Sequence, residues 1–240
     1  MNENYVIVIP ARMDSTRLPG KPMLEIGGRP LVEWIYIRAM KTLASIVVVA
    51  TDGNSELERF CRKASIRYTS TLPRHQNGTS RCLEAFDYLP AEVSDVCSKV
   101  VNWQCDVLAN PEDVDKLLIS HDYGIRTLVA PLGPGDMDRP DVVKAAVFNE
   151  RAHWFSRASM TGALHHVGVY GFHPSVLRQV ARLVPQFNSM SPLEQLEQLT
   201  WLEEGNRIHA SMIDEPPLSI NTLIDYKVAV RAYEEGALTL

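Results

Sequence analysis

Cysteine is scarce in this 240-residue chain: Cys61, Cys82, Cys97 and Cys105 are widely separated, and no two form a CxxC pair. That spacing excludes a zinc ligand set and a disulfide framework, and predicts four reduced thiols packed as small hydrophobes. Long apolar runs are missing too. The stretches around Val47 and Val100 are much too short to cross a bilayer, and the N-terminus lacks the basic start and apolar core of a signal peptide. A cytoplasmic location with no membrane partner is the expectation. Nor is positive charge in excess: a net charge of -5 and a pI near 5.8 argue against nucleic acid as a partner, although a local basic site can persist in an acidic protein. No internal repeat, low-complexity tract or linker interrupts the sequence. With 45% hydrophobic content it is expected to form a single domain over residues 1–240.

What is present is an alternation of strand-like and helix-like segments. Tyr5-Val-Ile-Val-Ile9 is short, β-branched and free of charge, as in a strand buried on both faces, and Pro10 is expected to stop it. Apolar residues at helical spacing follow over Leu31–Thr42, then a second buried strand at Ile46–Ala50 with Asp52 just past its end, a helix over Ser55–Ala64, and a strand over Val96–Trp103. The second half is more mixed. It carries strand-like segments at Thr127–Ala130, Val142–Phe148 and Val167–Phe172, and helical ones at Pro192–Glu204 and Leu223–Glu235. The fold class is α/β, with a mixed, mostly parallel central sheet flanked by helices.

Three places carry candidate chemistry. After the first strand, Pro10-Ala11-Arg12 leads into a loop in which Arg12, Arg17 and Lys21 can converge on phosphate oxygens, while Gly20 permits a left-handed turn or close backbone approach. Two guanidinium forks and a mobile ammonium suit a triphosphate whose charge moves onto a leaving pyrophosphate. Spacing alone also allows a solvated loop with scattered cations, and the segment is neither a GxxxxGK[ST] nor a GxGxxG motif. The second place is Arg74-His-Gln-Asn-Gly-Thr-Ser-Arg81. Its polar side chains around Gly78, just before a helical pattern starting near Cys82, are able to read a base edge or simply to cap a helix. The third is Asp106, at the end of a strand, where a carboxylate can anchor magnesium or merely terminate a turn.

These segments resemble, in order and at compatible spacing from about Tyr5 to about Ala229, the motifs of the cytidylyltransferases that activate 3-deoxy-manno-octulosonate (Kdo) as its CMP derivative. The Ile9–Pro22 stretch resembles that family's opening motif, and His75, Gln76, Gly78, Thr79 and Arg81 match its HQSGTER-like cytosine motif. Val101-Asn-Trp-Gln-Cys-Asp106 resembles VNVQGDEP, in which Asp binds the metal and Gln contacts the sugar acid. Ile220-Asn-Thr-Leu-Ile-Asp225 resembles VDTPEDL, with Asn221 at the position of a second metal-binding Asp. Trp154-Phe-Ser-Arg157 resembles YFSR, His166-Val-Gly-Val-Tyr170 resembles HLGIY, and Glu194–Leu202 resembles the ExLEQLRxL helix.

The resemblance implies a Rossmann-like nucleotidyltransferase fold and a homodimer. CTP would be held by Pro10, Ala11, Arg12, Arg17, Lys21, Arg74, Gln76, Asn77, Gly78, Thr79, Arg81 and Asp106. Arg12, Arg17, Lys21 and Asp106 would be catalytic, and Mg2+ would lie at Asp106 and Asn221. A small acidic acceptor would meet Gln104, Arg157, His166, Tyr170, Glu197 and Gln198, giving a CMP-sugar for lipopolysaccharide. The departures gather on the acceptor side and at the metal: Cys105, Val107 and Leu108 replace Gly-Glu-Pro, Thr200 replaces an Arg, and only eight residues separate Arg157 from His166, where the family has a longer excursion. They leave open a different acid, such as an amino-substituted or nonulosonic sugar or a phosphonate, and a non-catalytic CTP sensor.

Overall fold

The computed structural model describes residues 4–15, 18–75, 77–118, 124–183, 194 and 196–240. Strand β1 (Asn4–Ala11) lies between β4 (Ile46–Thr51) and β6 (Cys97–Trp103), parallel to both. Its side chains alternate between two cores, which is why it carries no charge: Ile7 and Ile9 face one and Val6 and Val8 the other. Pro10 does not stop the strand. The ladder to β6 ends at Val8, whereas that to β4 runs on through Pro10 and Ala11, so the proline sits where the strand has one free side and its missing donor is tolerated.

A nine-stranded sheet is completed by β5 (Tyr68–Ser70), β7 (Ile125–Ala130), β8 (Lys144–Phe148), β9 (Arg151–Ser156), β10 (Leu164–Phe172) and β11 (Ile208–Met212). The strand order is β5-β4-β1-β6-β10-β7-β11-β9-β8, and β10 also pairs with β8. Parallel pairing is confined to β5–β4–β1–β6 and to β7–β11, and the remaining pairs are antiparallel. A small hairpin of β2 (Glu25–Ile26) and β3 (Arg29–Pro30) leads into α1 (Leu31–Ala39).

Helices cover both faces. Helices α1, α2 (Ser55–Lys63), α5 (Pro111–Leu118) and α8 (Leu223–Glu234) contribute to the core containing Trp34 and Trp103. Helices α3 (Gly78–Asp87), α6 (Pro174–Val180) and α7 (Glu197–Glu203) contribute to the core containing Phe86, Tyr170 and Trp201, while α4 (Ala91–Ser94) is a single turn. All four cysteines are free and buried, as composition implied. Helix α3 begins at Gly78, four residues before the point expected from its apolar pattern, because the Asn77 Oδ1 caps it by accepting from the Ser80 amide at 2.8 Å. The helix expected from Pro192 is described only from Glu197, since residues 192, 193 and 195 lie outside the described set.

Candidate active site

Two adjoining cavities of about 550 and 770 Å3 open along the C-terminal ends of β1 and β6. Arg12, Gly78, Gln104, Asp106 and Arg157 line both. Strand ends supply this rim because parallel strands run out together there, and loops crossing between them meet at one edge.

The larger cavity is the basic one. Gly20, at φ 69°, lies in the left-handed region that favours glycine and starts the turn that brings Lys21 back over the sheet. The Lys21 Nζ then donates to Asp106 Oδ2 at 2.7 Å, both side chains being largely buried. The loop is held from the other side by Asp52, whose Oδ2 accepts from the Met13 amide at 2.9 Å. Gly78 and the start of α3 form the opposite wall. A Cβ at Gly78 would lie 3.4 Å from Pro10 Cγ and 3.6 Å from Asn102 Nδ2, so any side chain there would crowd the strand end. Asn77 and Gly78 thereby present a helix N-terminus to this space, which suits an anion.

Arg81 is placed differently from the expected reader of a base edge. The residue is 2% exposed, and although it lines the larger cavity its guanidinium donates to Thr51 O at 3.1 Å, Thr71 Oγ1 at 2.5 Å, Leu72 O at 3.2 Å and Pro73 O at 3.4 Å. It braces the loop that carries Arg74 to Asn77, and burial draws its pKa down. Arg74 is exposed and is not among the described lining residues. Thr79 is buried behind the wall and Ala11 within β1, so both support the cavity from beneath. Arg17 and Gln76 lie outside the described residues.

The smaller cavity is lined by Gln104, Arg157, His166, Tyr170, Glu197 and Gln198, so every expected acceptor residue is brought to one recess. The Arg157 Nε donates to Glu194 O at 3.1 Å and its Nη1 to Pro140 O at 3.0 Å, and Glu194 Oε2 accepts from the Arg157 amide at 2.8 Å. Tyr170 accepts a hydrogen bond from the Gln198 Nε2 and packs edge-on against Trp201 at 5.2 Å. His166 Nε2 lies 3.1 Å from Thr127 Oγ1, and burial pushes its pKa down to about 3, which keeps the ring neutral. Burial acts oppositely on Glu197, raising its carboxyl to about 7 against a hydrogen bond from Thr79. Asn102 Nδ2 donates to Thr79 Oγ1 at 3.3 Å, completing a chain Asn102–Thr79–Glu197 from sheet to recess. Asn102 Oδ1, Glu197 Oε2 and Gln198 Oε1 are buried without a hydrogen-bond partner among the described residues.

Backbone pairing joins the two metal-motif segments: Val107 bridges Ser219, the Leu108 amide donates to Leu218 O at 2.9 Å, and the Ile220 amide to Asp106 O at 2.9 Å. Asn221 and Asp106 line the same cavity as a result. Asp225 is committed elsewhere. Its Oδ2 accepts from the Asn221 amide at 3.0 Å, the Thr222 amide at 2.8 Å and the Thr222 hydroxyl at 2.9 Å, closing the capping box of α8, and its Oδ1 pairs with Arg139 at 2.8 Å. Among the described residues no group of three His, Cys, Asp or Glu is placed to hold an ion. One carboxylate beside a triphosphate nonetheless fits Mg2+, which commonly takes one or two carboxylates and completes its shell with phosphate oxygens and water.

The sequence did not single out Asp136, Arg139, Asp141, Lys144 or His165, which belong to one network at the mouth of the recess. Arg139 pairs with Asp141 at 2.6 Å, His165 Nδ1 lies 3.4 Å from Asp136 Oδ2, and the Lys144 Nζ donates to Arg139 O at 2.5 Å and Arg157 O at 3.0 Å. The signal for it was the dense charge of Asp136-Met-Asp-Arg-Pro-Asp141 between two strands.

Cations at one end, a recess with acid and amide side chains at the other and the shared carboxylates of Asp106 and Asp141 between them suit transfer of a nucleotidyl group, and the fold is that of the nucleotidyltransferases. Within that class the chain belongs to the cytidylyltransferase family, whose model matches residues 6–208. Relatives named 3-deoxy-manno-octulosonate cytidylyltransferase include those of Polynucleobacter asymbioticus, 36% identical over 92% of this chain and 92% of the relative, and Bradyrhizobium sp., 36% identical over 94% and 96%. A solved CMP:2-keto-3-deoxy-manno-octonic acid synthetase complexed with CTP superposes with a TM-score of 0.86 at 28% identity, covering 98% of this chain and 100% of that one. At 12% identity and a TM-score of 0.71, a Bacillus anthracis glucose-1-phosphate thymidylyltransferase, described as putative, shares the fold. The enzyme is thus a cytidylyltransferase.

Proposed function

We propose that the chain transfers CMP from CTP to an acidic 3-deoxy sugar of the Kdo type. The observation that carries this reading is that Gln104, Asp106 and Arg157 line both cavities, so a triphosphate in one and a sugar acid in the other would meet beside Asp106. The anomeric hydroxyl oxygen forms a bond to the α-phosphorus, and the bond from that phosphorus to its bridging oxygen breaks. Pyrophosphate leaves with the electron pair, and the hydroxyl proton passes to solvent. Lys21 and Arg12, with Arg17 from the same loop, take up charge on the leaving group. Asn77 and Gly78 present the start of α3 to the nucleotide, and Arg157 holds the acceptor carboxylate with Gln104, Tyr170 and Gln198 orienting hydroxyls. A divalent ion arriving with CTP, Mg2+ by this reading, would be held by Asp106, with Asn221 beside it, and would neutralise phosphate charge.

The unit of function is proposed to be the whole chain, its N-terminal part binding CTP and its C-terminal part the acceptor, acting in the cytoplasm as a homodimer without nucleic-acid or membrane partners. Exposed Phe148, Trp154 and Met212 on neighbouring strands β8, β9 and β11 support such an interface. Among the described residues no helix is long and apolar enough to cross a membrane. The amide at Asn221 favours one alternative, a CTP sensor without turnover. Pyrophosphate release with CTP, Mg2+ and a panel of Kdo, its amino analogue, nonulosonic acids and phosphonates tests the proposal. Release with Kdo-type acids supports it, release only with another acid relocates the specificity, and CTP binding without release selects the sensor.

A further inference from the structure

One wall of the acceptor recess is apolar. Val107, Leu218, Ile224 and Val228 line it together, with Pro216 and Pro217 at its rim. They are brought side by side by the Val107–Ser219 bridge and by the first turns of α8, where Ile224 and Val228 stand one helical turn apart. Ile224 is 74% exposed and Val228 48%, so neither side chain is used by the core. The rest of the recess is mixed: Arg139, Asp141 and Arg157 stand at its mouth and Gln104 and Gln198 within, with Val142, Val143 and Leu196 between them. Relative to the motifs VNVQGDEP and VDTPEDL, Val107 and Ile224 each stand where a glutamate would be, and both substitutions fall on this wall.

Two carboxylates exchanged for branched hydrocarbons in one cavity change what it accepts. An acceptor hydroxyl pressed against this wall would give up water hydrogen bonds for nothing, whereas a methyl group would gain burial. We infer that the acceptor of this enzyme is an acidic 3-deoxy sugar bearing a methyl-terminated substituent, as deoxy or acylamino groups are, which lies against Val107, Leu218, Ile224 and Val228. The inference rests on the cytidylyltransferase reading given above and specifies the acceptor for that same site. Binding contributions of one methyl group in an apolar pocket correspond to roughly ten- to two-hundred-fold in specificity.

The test compares Kdo with its 8-deoxy and 8-acetamido analogues, following pyrophosphate release by the full chain with CTP and Mg2+, alongside calorimetric titration of CTP. At least tenfold higher kcat/KM for one methyl-terminated analogue than for Kdo is expected. Ile224→Glu should erase that preference while CTP affinity stays within twofold, and Ile224→Leu should keep it. Because Ile224 is exposed in the first turn of α8, where a carboxylate also suits the helix dipole, Ile224→Glu is expected to fold. Equal or better use of Kdo, or an unchanged preference in Ile224→Glu, overturns the inference while leaving the cytidylyltransferase reading standing. No release with any of the three acids, despite CTP binding, overturns both.

Discussion

Lys144 provides the sharpest test of how the acceptor recess is built. Its side chain is completely buried, and its Nζ donates to the carbonyls of Arg139 and Arg157 at 2.5 and 3.0 Å, tying together the two segments that frame the recess. Burial pulls its pKa down against the opposing field of Asp141, Asp136 and Asp138, so the ammonium is held by geometry in a place that disfavours it. Lys144→Met keeps the stem and removes the charge. Two hydrogen bonds from a charged donor stabilise by about 1.5–3 kcal/mol each, and relief from burying the ammonium returns part of this, leaving a net loss of about 2–4 kcal/mol. With a urea dependence of about 2.5 kcal/mol per M, the unfolding midpoint should fall by roughly 0.8–1.6 M. Kinetics give a second readout that general destabilisation would not produce. The acceptor kcat/KM should drop by at least about tenfold while the Kd for CTP stays within about twofold, because the tie holds Arg139 and Arg157 in the lining of the smaller cavity. A midpoint moved by less than about 0.2 M, or a defect confined to CTP, would refute the bracket.

Other residues give further outcomes. Asp106→Asn should lower kcat by about 100-fold or more in pyrophosphate release and abolish its dependence on added Mg2+; retained dependence would move the ion elsewhere. Arg81→Ala should cost about 3 kcal/mol in urea unfolding, since it strips donors from the carbonyls of Thr51 and Leu72, and Arg81→Lys should recover only part because one ammonium cannot reproduce the fork. Glu197, with its carboxyl raised from 4.5 to about 7, binds a proton more tightly folded than unfolded, so its stabilisation is full below about pH 4.5 and is lost as pH rises through about 7. That rise corresponds to about 3.4 kcal/mol at most. Stability of wild type relative to Glu197→Gln should therefore fall between pH 5 and 8, and a flat difference would show that Glu197 ionises normally.

The first half was legible because its strands and the basic loop after β1 are local. Tyr5–Ile9 is apolar at every position because β1 faces a core on both sides, and the same property marked Ile46–Ala50 of β4. Pro10 misled because the cost of a proline in a strand depends on whether a neighbour pairs on both sides, which is a property of the sheet. Strands β9 and β11 were not anticipated: Ile208–Met212 gains its place beside β7 only through pairing with Ile125–Val129, more than 75 residues away. Family motifs identified the residues that meet in the recess, yet motif membership could not show that Arg81 spends its donors on carbonyls or that Asp225 is consumed by a helix cap. Those roles depend on which groups lie within 3 Å, and side-chain identity alone does not fix that.

The four cysteines have a practical consequence. Cys61, Cys82, Cys97 and Cys105 sit respectively on α2, on α3, on β6 and just beyond β6, and burial pushes each thiol upward, those of Cys61 and Cys97 to about 11. A thiol reagent at neutral pH meets almost no thiolate until the surrounding structure opens. The N-terminal half thus contains built-in clocks whose labelling rates measure local opening, with Cys105 in the lining of the larger cavity and Cys82 on α3, whose start forms its wall. Slower labelling of Cys82 and Cys105 when CTP is added would report tightening around the nucleotide without any introduced probe.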